Sequence, residues 1–399
     1  MMSDWIHTTI GSFCPFTYGK GLPENKRNNK GNIKVYGSNG VVGIHDQPLV
    51  NEPGVVIGRK GTVGSIHFAS QPFWPIDTTF YVVGESTRDL RFTYYLLKFI
   101  GLEQMNADSA VPGLNRDAAH ERRVHVPELP EQRAIAHILG SLDDKIELNR
   151  RMNKTLEAMA RAIFKSWFVD FDPVRAKAES RDPGLPGEIA ALFPDSFEDS
   201  ELGEIPKGWN ATTLKDGIEI FDNVRIPLNK RQRAERQGPY PYYGAAGILD
   251  HVDDFLFDGV YVLTGEDGSV ADDDGYPIVQ YIWGQFWVNN HAHILKGKNG
   301  VSVEHLYLVL QQTNIAAFVT GAVQPKLNQN NLRAVPFVLP KEPVCIAFSE
   351  LIQPLFAKVR ANADEIVTLA SLRDTLLPKL ISGELRVPAA EKLVEETGI

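Results

Sequence analysis

The chain has 399 residues, 43% of them hydrophobic, a length that predicts two to three domains and a composition ordinary for a soluble protein with room for two separate cores. No apolar run approaches the roughly 18 residues of a membrane span; the start Met1-Met2-Ser3-Asp4-Trp5 lacks the basic flank and apolar run of a secretion signal; and the only two cysteines, Cys14 and Cys345, have no metal-site spacing, so a cytoplasmic location is expected. A net charge of -9 excludes binding nucleic acid by sheer cationic excess, although local sign sets the potential within a Debye length of about 8 Å.

Residues 55–57, 65–68 and 79–83 are short apolar or β-branched runs separated by Gly and Pro, which predicts strands. Phe92, Tyr95, Leu96 and Phe99 recur at helical spacing and predict a helix over 91–101. From Leu129 a long amphipathic helix is expected, because Ile135, Leu139, Leu142, Ile146, Asn149, Asn153, Leu156, Ala160, Ile163 and Trp167 alternate at spacings of four and three. Residues 172–205 hold 3 basic and 9 acidic side chains with several prolines, and read as a linker with one short helix over 188–193. Strands follow at 260–263, 279–283 and 292–295, then a helix over 303–312. A second long helix carries Phe348, Ile352, Leu355, Val359, Asn362, Ile366, Leu369, Arg373, Leu376 and Leu380 on its seam. The resulting partition is a globular part over 1–127, helical 128–171, linker 172–205, a second globular part over 206–340, helical 341–386, and a short polar tail over 387–399 to which no role is assigned. The fold class is α+β, with two pseudo-repeated globular domains separated by a pair of long antiparallel coiled-coil helices.

The two copies share an ordered self-similarity. Residues 74–171 lie over 287–384 without a gap at an offset of 213, pairing Trp74 with Trp287, Tyr94 with Tyr307, Pro112 with Pro325, Leu114 with Leu327, Asn115 with Asn328 and Asn149 with Asn362. At offset 207, Tyr36, Gly37, Gly40, Gly58 and Gly61 meet Tyr243, Gly244, Gly247, Gly265 and Gly268; at 204, Trp5 and Thr9 meet Trp209 and Thr213. A period near 200 is far too long for a solenoid unit of roughly 20 to 50 residues. Each long helix exposes a stripe that the other copy can cover, and a pseudo-twofold relation would run the two antiparallel. Asn149 and Asn362 lie at equivalent seam positions, so their amides are expected to pair and fix the register.

Catalytic signatures are absent: there is no Walker loop, no GxGxxG behind a strand, no HExxH and no GxSxG. Gly58, Gly61 and Gly64 could cradle a phosphate, but the second copy replaces the intervening Arg59 and Lys60 by Glu266 and Asp267, so a tight hairpin with freely varying charges is expected. His291 and His293 alternate on a strand without a third ligand at metal spacing, and Asp272, Asp273 and Asp274 form a solvated turn; no metal site is expected.

Two basic segments occupy the same place in each copy. Lys20, Lys26, Arg27, Lys30 and Lys34 precede the first Tyr-Gly, and Arg225, Lys230, Arg231, Arg233 and Arg236 precede the second. With Arg59 and Lys60 they are the candidate DNA contacts, since Lys and Arg neutralise phosphates and release counterions. Neighbouring Asn25, Asn28, Asn29, Asn229, Gln232 and Gln237 could reach base edges. On the first long helix, Arg150, Arg151, Lys154 and Arg161 either face a partner or pair with Glu147 and Glu157.

The stretch from Leu129 to Phe171, the Gly208-Trp209 that opens the second copy, and LASLRDTLLPKLISGEL from Leu369 resemble the central and C-terminal regions of the specificity subunit of type I restriction-modification systems, over nearly the whole chain. One departure is Val344-Cys345-Ile346, where the first copy has Glu131-Gln132-Arg133. The resemblance implies a non-catalytic subunit whose two target-recognition domains each read one half of a split, asymmetric duplex target. It implies two methyltransferase and two restriction subunits as partners, which would use S-adenosylmethionine, ATP and Mg, with no cofactor held by this chain and no membrane. The competing readings are a duplicated-domain enzyme and a protein-binding scaffold without direct DNA readout.

Overall fold

In the computed structural model, which describes residues 5–28, 30–105, 113–321 and 323–395, the chain divides into two compact units, one of residues 1–149 with 364–399 and the other of residues 150–363. Asn29 and Pro112, named above, lie outside the described residues, as do 396–399 of the tail.

In the first unit, Ile6–Thr9 pairs antiparallel with Arg123–Val126. A four-stranded sheet runs in the order Thr17–Tyr18, Thr79–Val83, Gly54–Gly58, Ile66–Ala69. A three-stranded mixed sheet sets Ile33–Gly37 antiparallel to Gly40–His45 and parallel to Phe73–Pro75, with a register shift at Val35/Tyr36. The second unit repeats this plan. Asn210–Thr213 pairs with Pro336–Leu339; one four-stranded sheet runs Ile218–Ile220, Ala292–Gly297, Tyr261–Gly265, Val279–Ile282; and in the mixed sheet Tyr240–Gly244 sits between Gly247–Val252 and Gln285–Val288, with Phe257–Asp258 added as a fourth strand beyond Gln285–Val288. Its register shift, at Tyr242/Tyr243, falls on the aligned pair of residues. A bulge inserts one residue and bends the strand, so its repetition is a structural signature of the duplication independent of side-chain identity.

The sparse identities between copies fall where the backbone needs them. Asn115 and Asn328 are N-caps, each carboxamide accepting from main-chain N–H groups of the short helices Arg116–His120 and Gln329–Arg333. Asp89 and Ser302, aligned at 213, cap Leu90–Phe99 and Val303–Gln311. Gly64 has φ +74, and a Cβ there would lie 2.2 Å from the Glu103 amide nitrogen, so only glycine fits. The glycine turn is wider than a tight hairpin: residues 59–65 connect Gly54–Gly58 to Ile66–Ala69, and 266–278 make the second connection. The first loop is closed at its base by a bond of 2.8 Å from the Gly58 amide to the Ser65 carbonyl, and within the second the Ile278 amide donates to the Val270 carbonyl at 3.0 Å.

Both long helices are single runs of 40 residues, Leu129–Phe168 and Glu342–Ile381. In the first unit, Ile135, Leu139, Leu142 and Ile146 share a core with Leu369, Leu376 and Leu380. In the second, Ala160, Phe164 and Trp167 share one with Val344, Phe348, Ile352 and Phe356. The early part of one helix thus meets the late part of the other in each unit, which is an antiparallel pair. Leu156, Ile163 and Leu355 are half-buried, because Phe164 and Phe356 fill the seam beside the aromatic cluster of Trp167, Phe193 and Trp209.

The two seam asparagines do not pair with each other. Asn149 donates to Glu365 Oε2 at 2.8 Å, and Asn362 donates to Asn153 Oδ1 at 2.8 Å while Asn153 donates to the Val359 carbonyl. The antiparallel register faces each Asn with a polar side chain near, but not at, its repeat equivalent. Asn362 Oδ1 is buried without a hydrogen-bond partner among the described residues.

Residues 172–205 are more than a tether. Helices Asp172–Ala178 and Gly187–Ala190 and the hairpin of Phe197–Ser200 with Gly203–Pro206 bury Val174, Phe193 and Ile205 in the second unit's core, while Glu198, Asp199 and Glu201 face out. The tail contains the helix Val387–Glu395, which buries Ala390 and Val394 in the first unit. Arg386 bonds Glu131, and Gly383 lies against the Trp5 ring.

Candidate nucleic-acid interface

Each basic loop is pinned to its sheet by the tryptophan that the repeat preserves. Trp74 Nε1 donates to the Lys20 carbonyl at 2.8 Å, and Trp287 Nε1 donates to the Ile226 carbonyl at 2.6 Å. A buried or half-buried indole N–H needs an acceptor, and taking a loop carbonyl holds the base of the loop in place.

Eleven of the twelve cations fall into two groups, and the twelfth, Arg59, sits against the Tyr18 ring. Arg27 donates to the Leu22 and Val42 carbonyls at 3.2 and 2.9 Å and so braces its own loop. Arg225 is 13% exposed at its side chain and bonds Glu266 and the Ala292 carbonyl, each at 2.8 Å. Arg233 bonds Asp250 and the Leu228 carbonyl and lies over the Tyr242 ring; Arg236 bonds Asp253 and lies over Trp287. These four arginines shape the loops. Lys20, Lys26, Lys30, Lys34, Lys60 and Lys230 are exposed, and no ion pair among the described residues holds their ammonium groups. Arg231 is 88% exposed and among the described residues pairs only with Glu235 on the next turn, which is a weak tie.

Three of the six amides proposed to reach bases are engaged elsewhere. Asn229 and Gln232 form a reciprocal capping box on Lys230–Glu235, and Gln237 bonds Asp250. That Gln237 bond, followed by the His251 amide and Arg233, holds the Asp250 carboxyl below its usual range. On the long helix, Arg161 pairs with Glu157 at 3.7 Å.

In the second globular part, the second head, Asp222, Glu266 and His293 bring three ligand atoms within 4.8 Å of one another. His293 Nδ1 lies 2.6 Å from Asp222 Oδ2, Nε2 lies 2.6 Å from the Leu327 carbonyl, and Gln329 donates to Asp222. Arg225 bridges both carboxylates. A guanidinium therefore occupies the position a cation would need, and every donor already has a use. Burial pushes the Asp222 carboxyl up, but His293, the Ile294 amide and Arg225 together outweigh it and leave it below the usual range. His291 instead bonds Asp267 at the edge of an open cleft of about 430 Å³ that also holds exposed Ile248 and Leu249.

In the first head the aligned corner is built differently. Arg59 and Arg116 both stand 5.1 Å from the Tyr18 ring centroid, with Phe80 edge-on behind it at 4.9 Å. Tyr18 and Arg116 escaped sequence reasoning because an aromatic on a two-residue strand and a lone arginine far along the chain give no local pattern. The duplication was the available signal: both align with residues of the second head's polar network.

The family model for the type I restriction modification DNA specificity domain matches residues 2–158 and 206–346. Among curated proteins, the MjaIX type I restriction enzyme specificity subunit of Methanocaldococcus jannaschii is 26% identical over 350 residues, covering 84% of this chain and 78% of that protein. The HindI specificity subunit of Haemophilus influenzae is 27% identical over 340 residues, covering 69% and 71%. Among solved structures, the S subunit of a type I restriction-modification system from M. genitalium superposes with a TM-score of 0.64 at 18% identity over 95% of this chain and 96% of that one, a likeness of fold.

Proposed function

Because the chain belongs to the type I restriction modification DNA specificity family, we propose that each globular head reads one half of a split duplex target and that the chemistry is carried out by other chains. The carrying observation is that two heads of one fold, with the same sheet plan and the same bulge, present unlike side chains at the same corner: arginines on a tyrosine in one, a closed acid–histidine network in the other. Identical heads would read a palindrome; unlike heads read an asymmetric target. The exposed lysines supply phosphate contacts that position without specifying.

The long helices act as the spacer in this reading. A helix of 40 residues extends about 60 Å, more than a single head requires to cover its own core. Their outer faces dock two methyltransferase and two restriction subunits in the cytoplasm, and S-adenosylmethionine, ATP and Mg are the cofactors of those partners. The net charge of -9 fits a chain that relies on its partners for part of the phosphate contact.

The test is binding of split-target duplexes by the assembled complex over a salt series. Lys230→Ala with Arg231→Ala, two residues outside the loop-bracing set, should weaken binding for all sequences and flatten the salt slope by about two. Unchanged affinity and slope would favour the protein-binding scaffold.

A further inference from the structure

The aligned corner of the two heads carries more than a difference in charge. Tyr18, Arg59, Lys60, Phe80 and Arg116 in the first head align with Asp222, Glu266, Asp267, His293 and Gln329 in the second. In the second head these groups consume one another's hydrogen-bonding capacity, with Asp222 taking His293, Gln329 and the Ile294 amide and Glu266 taking Arg225. In the first head they do not. Tyr18 is 48% exposed, Arg116 is 39% exposed at its side chain, and Arg116 Nε lacks a hydrogen-bond partner among the described residues, with only a 3.5 Å approach to Asp117. Arg59 spends a single N–H on the Asp77 carbonyl.

The main chain holds this group together. The amides of Arg59 and Lys60 both donate to the Thr78 carbonyl, and that of Lys20 donates to Pro75, so three cations hang on residues 75–78. Lys20 and Lys60 are exposed ammonium groups on flexible stems, suited to phosphates. The two guanidinium groups are different. Cation–π contact with one ring restricts where the two guanidinium groups can lie, and among the described residues each keeps N–H donors unspent. A planar donor fork restricted in that way matches the O6 and N7 acceptors of guanine in the major groove.

The geometry points to Arg59 and Arg116, held at Tyr18, as the residues with which the first head reads a guanine edge in its half of the target; the aligned corner of the second head carries no arginine pair, and Arg233 and Arg236, which lie over rings elsewhere in it, are bonded to Asp250 and Asp253. This rests on the DNA-reading function proposed above.

The test uses the complex assembled with its methylating subunits and competition among duplexes that differ from the target by one base pair. Arg116→Lys and Arg59→Lys keep the charge and leave the core untouched; co-purification with the partners and an unchanged melting temperature confirm the fold. Each variant should lose discrimination of about 5- to 150-fold at one G·C position in one half of the target, with preference in the other half intact. A uniform loss across all duplexes, suppressed by salt, would assign these arginines to phosphates and overturn the inference, as would unchanged discrimination. A wild-type complex with no preference for any split target would instead refute the underlying DNA reading, an outcome distinct from both.

Discussion

His305 offers the sharpest quantitative test of the duplication. It lies fully buried on Val303–Gln311, stacked on Phe168 at 4.6 Å and edge-on to Phe348 at 4.9 Å, with Nδ1 lacking a partner among the described residues. Burial pushes its pKa down to about 3. The aligned residue in the first unit is Phe92, also fully buried. Because the folded value lies below the ordinary 6.5, the unfolded chain takes up a proton that the native state refuses. Stability is therefore unaffected above pH 6.5 and falls as pH drops from there toward 3. Between pH 7.5 and 5.5 this one ring should cost about 1.4 kcal/mol. His305→Phe removes the proton site and the orphaned nitrogen, worth about 1 to 3 kcal/mol, against an overpacking cost of similar size. The difference between the two proteins' pH responses does not depend on that balance. Urea unfolding of wild type and variant at pH 7.5 and 5.5 should show the wild type losing about 1.4 kcal/mol more than the variant. Equal losses would mean that His305 is not held neutral in the core.

Glu131→Val copies the second unit's chemistry at Val344 into the first; it should strand Trp5 Nε1, now bonded to Glu131 at 3.2 Å, as Trp209 Nε1 is already buried without a partner among the described residues. The expected cost is about 1 to 2 kcal/mol, with faster amide exchange in Val387–Glu395, whose neighbour Arg386 loses its carboxylate; unchanged exchange there would contradict it. Asn362→Leu trades one neutral hydrogen bond for relief of a buried unpaired Oδ1 and should raise unfolding stability by about 1 kcal/mol, so a clear loss would show that the polar layer is fully satisfied. Inserting seven residues into the middle of both long helices keeps the seam in phase and adds about 10 Å. The spacer of the recognised target should lengthen by about three base pairs, and an unchanged spacer would rule out the helices as its determinant.

Much of the architecture was legible because it rests on periodicity. The seam from Ile135 to Ile146 and from Leu369 to Leu380 follows the heptad and is buried as that pattern requires. The repeat was visible through Gly, Pro, Trp and Asn, which fix turns and caps whatever surrounds them. Partner choice across the seam was not legible: the pairing of Asn149 with Glu365 depends on a register that a one-turn slip would change without altering either pattern. The acidic segment 172–205 concealed Val174, Phe193 and Ile205 among charges that simply face solvent. Counting cations found the basic loops but could not separate Arg225 and Arg233, spent on carboxylates, from Lys26 and Lys230, because contact partners 17 to 67 residues away carry no local trace.

The most direct test of the whole account is to map modified bases in DNA from cells that carry the chain with its methyltransferase partners, and in cells lacking the chain. A single asymmetric motif in two parts, separated by a run of unspecified base pairs and absent without the chain, is the expected result. Methylation at a continuous or palindromic motif, or a motif that persists when the chain is removed, would contradict it.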